Sequence, residues 1–177
     1  MNLWEFSLTL YPKPGVADAC LTLQNHHGAD VNVLLYLLWT ASAGKAPNVT
    51  QLTEMLALSA EWRQRVVAPL RSLRSEMKGW PLAGTLPEFS QREDFETLRA
   101  AVKAAELEAE KRQQRVLESR FGLAGLIDDG TLAVFADSIL QLFPNPETAS
   151  ASYLVHSIAV AHDKDFGARV CRALNLE

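Results

Sequence analysis

Residues 31–43 read VNVLLYLLWTASA, the most apolar run in the chain. Asp30 stands directly before this run as a candidate helix N-cap, and Gly44 follows it as a candidate helix terminator. Because apolar residues occupy nearly every side of this helix, we expect it to be the most enclosed element of the fold. The run is too short for a membrane span, which needs roughly 20 apolar residues.

Helix signals continue on both sides of this central helix, and they predict an all-α fold. The alternating apolar residues of segment 3–10 also suit a strand, but no partner strand is evident later, so we favour a short helix there. We expect a single-domain bundle spanning residues 1–177, with about seven to nine helices, a long sixth helix and short C-terminal helices. The expected boundaries are about 3–10, 15–27, 31–43, 48 or 50 to 58, 59–78, 91–120, 132–143, 150–161 and 163–174.

Composition restricts the class of protein. The chain has 177 residues, enough for one domain with a real core, and a net charge of −4. Nucleic-acid binders gain most of their affinity from excess Lys and Arg, so this charge argues against that class. The N-terminus shows no basic and apolar export signal, which leads us to expect a cytoplasmic protein without a membrane span. We expect Cys20 and Cys171 to be buried, reduced thiols.

The segment from Ser59 to Lys78 combines an apolar face with a basic one. Residues 61–78 carry five positive and two negative side chains, a net charge of +3 in an acidic protein. Its candidate anion or acidic-partner face comprises Arg63, Arg71, Arg74 and Lys78, which fall within a sector of roughly 80° on a helical wheel. The alternative is a solvated face that pairs with acids on the long helix. Pro69, inside this segment, should remove one backbone hydrogen bond and bend the helix.

The long sixth helix carries a charged residue inside its apolar stripe. That stripe comprises Phe95, Leu98, Val102, Ala105, Ala109 and Val116. Glu106 lies about 40° from Val102 on a helical wheel, and Gln113 about 20°. A carboxylate at such a position is costly unless it is paired. We therefore expect Glu106 to be buried against Arg63 or Arg71, or else His27, either as a structural pair or as part of a ligand site.

These patterns also predict which residues form the core. The expected buried set is Leu35, Leu38, Trp39, Trp62, Val66, Leu70, Leu98 and Val102.

No catalytic or metal-binding signature stands out. His26, His27 and Asp30 could be imagined as metal ligands, but adjacent histidines on a helix point about 100° apart. The chain also lacks a nucleophile elbow and a phosphate-binding glycine loop. We therefore expect no metal and no cofactor, and we predict no catalytic residue.

A series of short motifs runs through the first two thirds of the chain: WEFSL (4–8), PGVA (14–17), CLTLQ (20–24), HGADVN (27–32), LLW (37–39), WR (62–63), PLRSLR (69–74) and VKAAELEAE (102–110). With these motifs the chain resembles an uncharacterised proteobacterial family of unknown function, DUF2390, over roughly residues 4–115. The resemblance implies a bacterial, cytoplasmic protein with a family-like part of about 1–120. It implies no activity, cofactor or catalytic residue, and residues 121–177 form an unmatched helical extension.

Two hypotheses of function follow. The first is a non-enzymatic helical module that binds another, unidentified protein. The second is a small-ligand binder or enzyme with a polar pocket formed by Glu106, Arg63, Asn32 and His27, with Arg71 as a further member of this candidate polar cluster. An enclosed cavity that reaches Glu106 would favour the second hypothesis, whereas an apolar outer patch would favour the first. Nucleic-acid binding through the basic face is a weaker third possibility.

Overall fold

The predicted all-α class is confirmed by a computed structural model, which describes residues 1–78, 92–123, 127–128, 133–143 and 148–176. This part of the chain contains nine α-helices and one π-helical turn. They are α1 (Leu3–Leu10), α2 (Val16–His26), α3 (Val31–Ser42), α4 (Val49–Trp62), the π-turn (Arg63–Val67), α5 (Ala68–Lys78), α6 (Arg92–Phe121), α7 (Ala133–Leu142), α8 (Thr148–His162) and α9 (Lys164–Ala173). Two short strands, β1 (Lys45–Ala46) and β2 (Ile127–Asp128), pair antiparallel. No described helix is both long and apolar enough to cross a membrane.

The first segment is a helix and not a strand. Asn2 and Glu5 form a capping box, in which each side chain accepts a hydrogen bond from the other residue's backbone amide. The buried side of α1 comprises Leu3, Phe6, Ser7 and Leu10. Of the apolar residues that alternate along this segment, Phe6 and Leu10 are buried, whereas Leu8 points outward and is exposed.

Contacts divide the chain into two compact units, Met1–Ser59 with Gln114–Glu177 and Ala60–Gln113. In the first unit, which we call the large unit, α3 is the central helix as predicted, and every residue from Asn32 to Ala41 is buried. Asp30 caps it by accepting hydrogen bonds from the amides of Asn32 and Val33, at 2.9 and 3.3 Å. Helices α1, α2 and α7 pack against α3, while α8 packs against α1, α2 and α9.

The C-terminal helices belong to the core of the large unit. Their buried apolar side chains join those of α1–α3 in one cluster, to which α7–α9 contribute Phe135, Ile139, Leu142, Ala151, Val155, Ile158, Ala159, Phe166 and Val170. Residues beyond the family-like part therefore help to enclose α3. Both cysteines are free, and burial raises the pKa of the Cys20 thiol to about 12, whereas Cys171 is half-buried.

In the described part of the second unit, which we call the small unit, few apolar side chains are buried. Of its hydrophobic residues whose side chains the structure describes, those that are buried are Val67, Met77 and Ala109. Trp62 is half-buried, and its indole Nε1 donates to the carbonyl of Ala109 at 3.0 Å.

The predicted core is therefore confirmed in part. Leu35, Leu38 and Trp39 are buried as expected. Trp62, Val66, Leu70 and Val102 are only half-buried, and Leu98 is 56% exposed, so its predicted burial was wrong. The reason is that α6 turns only one edge of its apolar stripe inward. Glu106, Ala109 and Gln113 on that edge are buried, whereas Leu98 and Ala105 on the other edge are exposed.

The predicted helix start at Ser59 was wrong. Helix α4 continues through Ser59, whose hydroxyl donates to the carboxylate of Asp30 at 2.8 Å instead of capping a new helix. The helix departs from regular α-helical geometry just before Pro69. The chain forms a widened π-turn there, in which the amide of Ala68 donates to the carbonyl of Arg63, five residues earlier. Pro69 has no amide hydrogen to donate to the carbonyl of Arg65, four residues back. The hydrogen bonds of the helix therefore change from a spacing of four residues to one of five just before Pro69.

Candidate functional site

The sharpest polar arrangement in the small unit connects α5 with α6 through charges. The Nε atom of Arg71 donates to Oε1 of Glu106 at 2.8 Å, and Nε of Arg74 donates to Oε2 of the same carboxylate. Arg74 also reaches Oε1 through Nη2 at 3.3 Å, and Nη2 of Arg71 donates to Glu110. We call these four residues the Glu106 cluster. Both oxygens of the buried carboxylate therefore have cationic donors.

Burial and pairing act on Glu106 in opposite directions. Desolvation works to raise the pKa of its carboxyl, but the hydrogen bonds and charges of Arg74 and Arg71 outweigh it, so the pKa lies below its ordinary value. The hydrogen bond to Glu106 likewise raises the pKa of Arg74. Glu106 is thus an ionised acceptor at neutral pH and has no proton to give.

The cluster is balanced in charge, with two guanidinium groups and two carboxylates. Glu106 is 5% exposed, which confirms the predicted burial, while the side chains of Arg71 and Arg74 remain 24% and 29% exposed. Such an arrangement can hold two helices together, and its arginines can still meet a solute at their outer edges.

The four residues of the predicted basic face lie in different environments. Arg71 and Arg74 turn toward Glu106, Lys78 is exposed at the end of α5, and Arg63 is half-buried at the start of the π-turn. A helical wheel at a constant 100° per residue assumes unbroken α-helix from Arg63 to Lys78. The widened turn breaks that assumption, so the wheel misplaces Arg63 relative to the other three.

Asn32 and His27, the other members of the predicted polar cluster, lie in the large unit and have contacts there. The side-chain oxygen of Asn32 accepts from the amide of Gln114 at 2.8 Å, and the oxygen of Gln114 accepts from the Ser7 hydroxyl at 3.1 Å. The ring of His27 meets Phe143 edge-on at 6.2 Å. Ser7, Asn32 and Gln114 are all buried, and they join α1, α3 and α6 through hydrogen bonds.

Two of these partners were missed from the sequence. Gln114 lies about 120° from Val102 on a wheel, outside the apolar stripe, so periodicity did not indicate its burial. Arg74 was singled out for the basic face but not as a partner of Glu106. Its spacing of three from Arg71 places both side chains on one side of a helix, and that spacing could have predicted a shared carboxylate.

Within the described residues, no group of three or more His, Cys, Asp or Glu side chains is placed to hold a metal ion. Asp30, which sequence reasoning considered beside His26 and His27, accepts hydrogen bonds from α3 and Ser59. A partly open cavity of about 330 Å³ lies elsewhere in the large unit. Its lining contains none of the predicted site residues and comprises Pro47, Val49, Leu52, Val134, Asp137, Ser138 and Gln141.

Comparison with protein families assigns the chain. The family model described as protein of unknown function (DUF2390) matches residues 2–117. The chain belongs to the DUF2390 family. This confirms the resemblance seen over roughly residues 4–115, and the DUF2390 match contains the whole Glu106 cluster. No curated protein and no solved structure matches the chain.

Proposed function

We propose that this DUF2390 protein is a non-enzymatic helical module that binds another protein through one side of α5 and α6. The observation that carries this proposal is an inverted distribution of side chains in the small unit. The carboxylate of Glu106 is buried, whereas Leu73 and Leu98 are 41% and 56% exposed. Our proposal takes these leucines as the centre of an apolar patch, the kind of surface that another molecule covers.

The exposed leucines of α5 and α6 point to the same side of the helix pair, and Leu98 lies about 12 Å along α6 from Glu106, beyond the end of α5 at Lys78. Arg71 reaches Glu110 and Glu106, whereas Arg74, one turn further along α5, reaches Glu106 alone. This order indicates that the two helices run in opposite directions. On helical wheels Leu73 lies roughly 100° from Arg74, and Leu98 lies roughly 80° from Glu106. Because the helices are antiparallel, these two rotations turn both leucines toward the same side of the pair.

We call this surface the leucine face; it comprises Leu70, Leu73, Leu98, Val102 and Ala105. Leu70 and Val102 are half-buried, and the other three are exposed. Residues of this type at the centre of a patch supply binding energy through loss of contact with water. A general acid or base is not needed for such a role, which agrees with a Glu106 carboxylate that is ionised and engaged by two arginines.

Site-specific photocrosslinking in the native cell tests this proposal. A photoreactive residue in place of Leu98 should trap a partner protein, because this position lies on the leucine face. The matched control replaces Leu107, which is 51% exposed but lies on another side of α6. The proposal is wrong if position 98 traps nothing, or if positions 98 and 107 trap the same proteins equally.

A second candidate is binding of a small anionic ligand at the Glu106 cluster, which includes two members of the anion face that the sequence predicts, Arg71 and Arg74. The partial exposure of the Arg71 and Arg74 side chains supports it, because a carboxylate or phosphate could contact their outer edges. Millimolar phosphate or citrate should then raise the melting temperature. The rise should disappear in Arg74→Gln but persist in Arg65→Gln, whose side chain is exposed and paired with Glu61. No rise in the parent protein would contradict this candidate for these anions.

The setting that we propose for either function is the bacterial cytoplasm, which the family resemblance implies.

A further inference from the structure

We propose that the cavity lined by the start of α4 and by α7 binds a small molecule with an apolar body and a protonated primary amine. This inference goes beyond the proposed function, because the cavity lies in the large unit and shares no residue with the leucine face. It rests on three features of the cavity: its size, its apolar lining and the hydrogen-bonding groups on its polar side.

The size of the cavity suits a small organic molecule. Its volume of about 330 Å³ lies near the lower end of the range of roughly 300–1,000 Å³ that is usual for ligand pockets. Since a cavity of about 150 Å³ can hold benzene, this one has room for a ring that carries a short chain. The cavity is partly open, so such a molecule can enter it from the solvent.

The apolar lining of the cavity comes mainly from the residues that lead into α4. Pro47 is buried just before the helix, Val49 begins it, and Leu52, almost one turn further along, is buried in the core. Val134 of α7 adds a fourth apolar side chain. Covering these side chains with an apolar ligand removes them from water, which is favourable. This part of the cavity therefore suits the apolar body of a ligand.

The polar lining comes from α7 alone, and its groups mainly accept hydrogen bonds. An ionised carboxylate such as that of Asp137 has acceptors only. The Ser138 hydroxyl donates to the carbonyl of Val134 at 2.7 Å, so its oxygen keeps lone pairs with which to accept. Gln141 follows Asp137 by four residues and lies on the same side of the helix, where its amide oxygen is a further acceptor.

A protonated primary amine is the ligand group that best complements these acceptors. An ammonium group has three donors and no acceptor. Within the part of the chain that the structure describes, no basic side chain pairs with Asp137, so its charge is available to a cation. A ligand carboxylate would instead meet a like charge there. The lining therefore favours a cationic ligand over a neutral or anionic one of the same shape.

NMR titration of the full chain with three compounds of similar shape tests this inference. The probes are phenethylamine, phenethyl alcohol and hydrocinnamate, which carry a positive, a neutral and a negative group on the same phenyl-ethyl body. We expect phenethylamine, at about 1–10 mM, to shift the backbone amide resonances of residues 134–141 and of Val49 and Leu52. Phenethyl alcohol should bind at least about threefold more weakly, the effect of one partly exposed ion pair, and hydrocinnamate more weakly still.

Asp137→Asn keeps the size of the side chain and removes its charge. It should abolish the preference for the amine, so that phenethylamine and phenethyl alcohol bind with equal affinity. Because Asp137 is exposed, the variant should fold like the parent protein, and far-UV circular dichroism would check this. Asp18→Asn is the matched control, since Asp18 is exposed on α2 and is not part of the cavity lining, and this variant should keep the preference of the parent.

Four outcomes would overturn the inference. They are no shift of the cavity amides by phenethylamine at about 10 mM, equal or stronger binding of either other probe to the parent, a preference that survives Asp137→Asn, and an equal loss of preference in Asp18→Asn. Photocrosslinking at position 98 is independent of all four. Failure of this cavity to bind an amine is therefore distinguishable from failure of the proposed function.

Discussion

At the scale of single residues, Glu106 shows how a charge can be accommodated inside a small helical unit. Removal of a carboxylate from water is expensive, yet this one receives donors from both Arg71 and Arg74. The ion pairs of Glu106 with Arg71 and Arg74 therefore specify which sides of α5 and α6 meet. A neutral side chain of the same shape would remove the carboxylate that Arg74 and Arg71 share, and would leave Arg71 with Glu110.

Glu106→Gln should lower the free energy of unfolding by about 1–3 kcal/mol, because the partly buried Arg74 and Arg71 lose the charged acceptor that they share. Urea denaturation monitored by circular dichroism would measure it. The loss should shrink as the pH falls, since the lowered pKa means that this stabilisation is complete above the ordinary carboxyl pKa of about 4.3 and disappears as Glu106 is protonated below it.

The matched control for this prediction is Glu108→Gln, because Glu108 pairs with Arg112 on the exposed side of the same helix. We expect a change of about 0.5 kcal/mol or less. Equal losses in the two variants would contradict a special role for the Glu106 cluster.

His162 should make the large unit sensitive to mild acid. Its ring packs against Phe6 at 4.9 Å and Phe166 at 5.8 Å, and burial, with a smaller effect of the Lys13 charge, lowers its pKa although Asp163 opposes the shift. A lowered histidine pKa means that the unfolded chain binds the proton more readily. Stability is then fully present above the unfolded pKa of about 6.5 and declines as the pH falls below it.

Melting temperatures measured between about pH 7.5 and pH 5 would test this expectation. His162→Phe keeps an aromatic ring but cannot be protonated, so it should lose less stability on acidification than the parent protein. His26→Asn, at an exposed position, should behave like the parent. Identical pH profiles for His162→Phe and the parent would contradict the prediction.

At the scale of elements, two helix pairs differ in the kind of contact that joins them. Helices α5 and α6 meet through long charged side chains, whereas α8 and α9 approach closely because Gly167 has no side chain. A Cβ atom on Gly167 would lie 2.4 Å from Cγ2 and 2.7 Å from Cα of Val160. The second distance involves backbone, so rotation of the valine side chain could not relieve it.

Gly167→Ala should therefore destabilise the protein by about 1–3 kcal/mol, because α8 and α9 must separate to admit the methyl group. Thermal or urea denaturation would measure the loss. Ala168→Ser, at the exposed neighbouring position, is the control and should have little effect. Gly167→Ala combined with Val160→Ala should recover only part of the loss, because the contacts with the valine backbone remain. Full recovery would show that the side chain alone limits the approach of the helices.

At the scale of the whole molecule, the two units differ in how they are stabilised. The large unit has a continuous apolar cluster drawn from α1–α3 and α7–α9, while the described part of the small unit has a few buried apolar side chains and an ion-pair cluster. Free energies of local opening follow the density of buried apolar contacts. The units should therefore differ in the protection of their backbone amides.

Hydrogen–deuterium exchange followed by mass spectrometry should show faster exchange in α5 than in α3. Uniform exchange of both helices would indicate one cooperative opening and would contradict the predicted difference.

Much of the fold was predictable because its signals are local. Asp30, Gly44 and the apolar run between them predicted α3, and the structure confirms both its bounds within a residue or two and its central position. The burial of Glu106 was also predictable from spacing. The identity of both its partners was not, because a helical wheel describes one helix and contains no information about which neighbour lies opposite each side.

The sequence by itself determined the helical class, the central helix and the cost of placing a carboxylate at position 106, since caps, periodicity and desolvation depend on neighbouring residues and side-chain chemistry. Only the tertiary structure decided which edge of the α6 stripe faces inward. Glu106, Ala109 and Gln113 are buried and Leu98 is exposed, and the arginines of α5 compensate the buried carboxylate. Pairing between residues distant in sequence decided this, because periodicity within one helix contains no information about where the neighbouring charges lie.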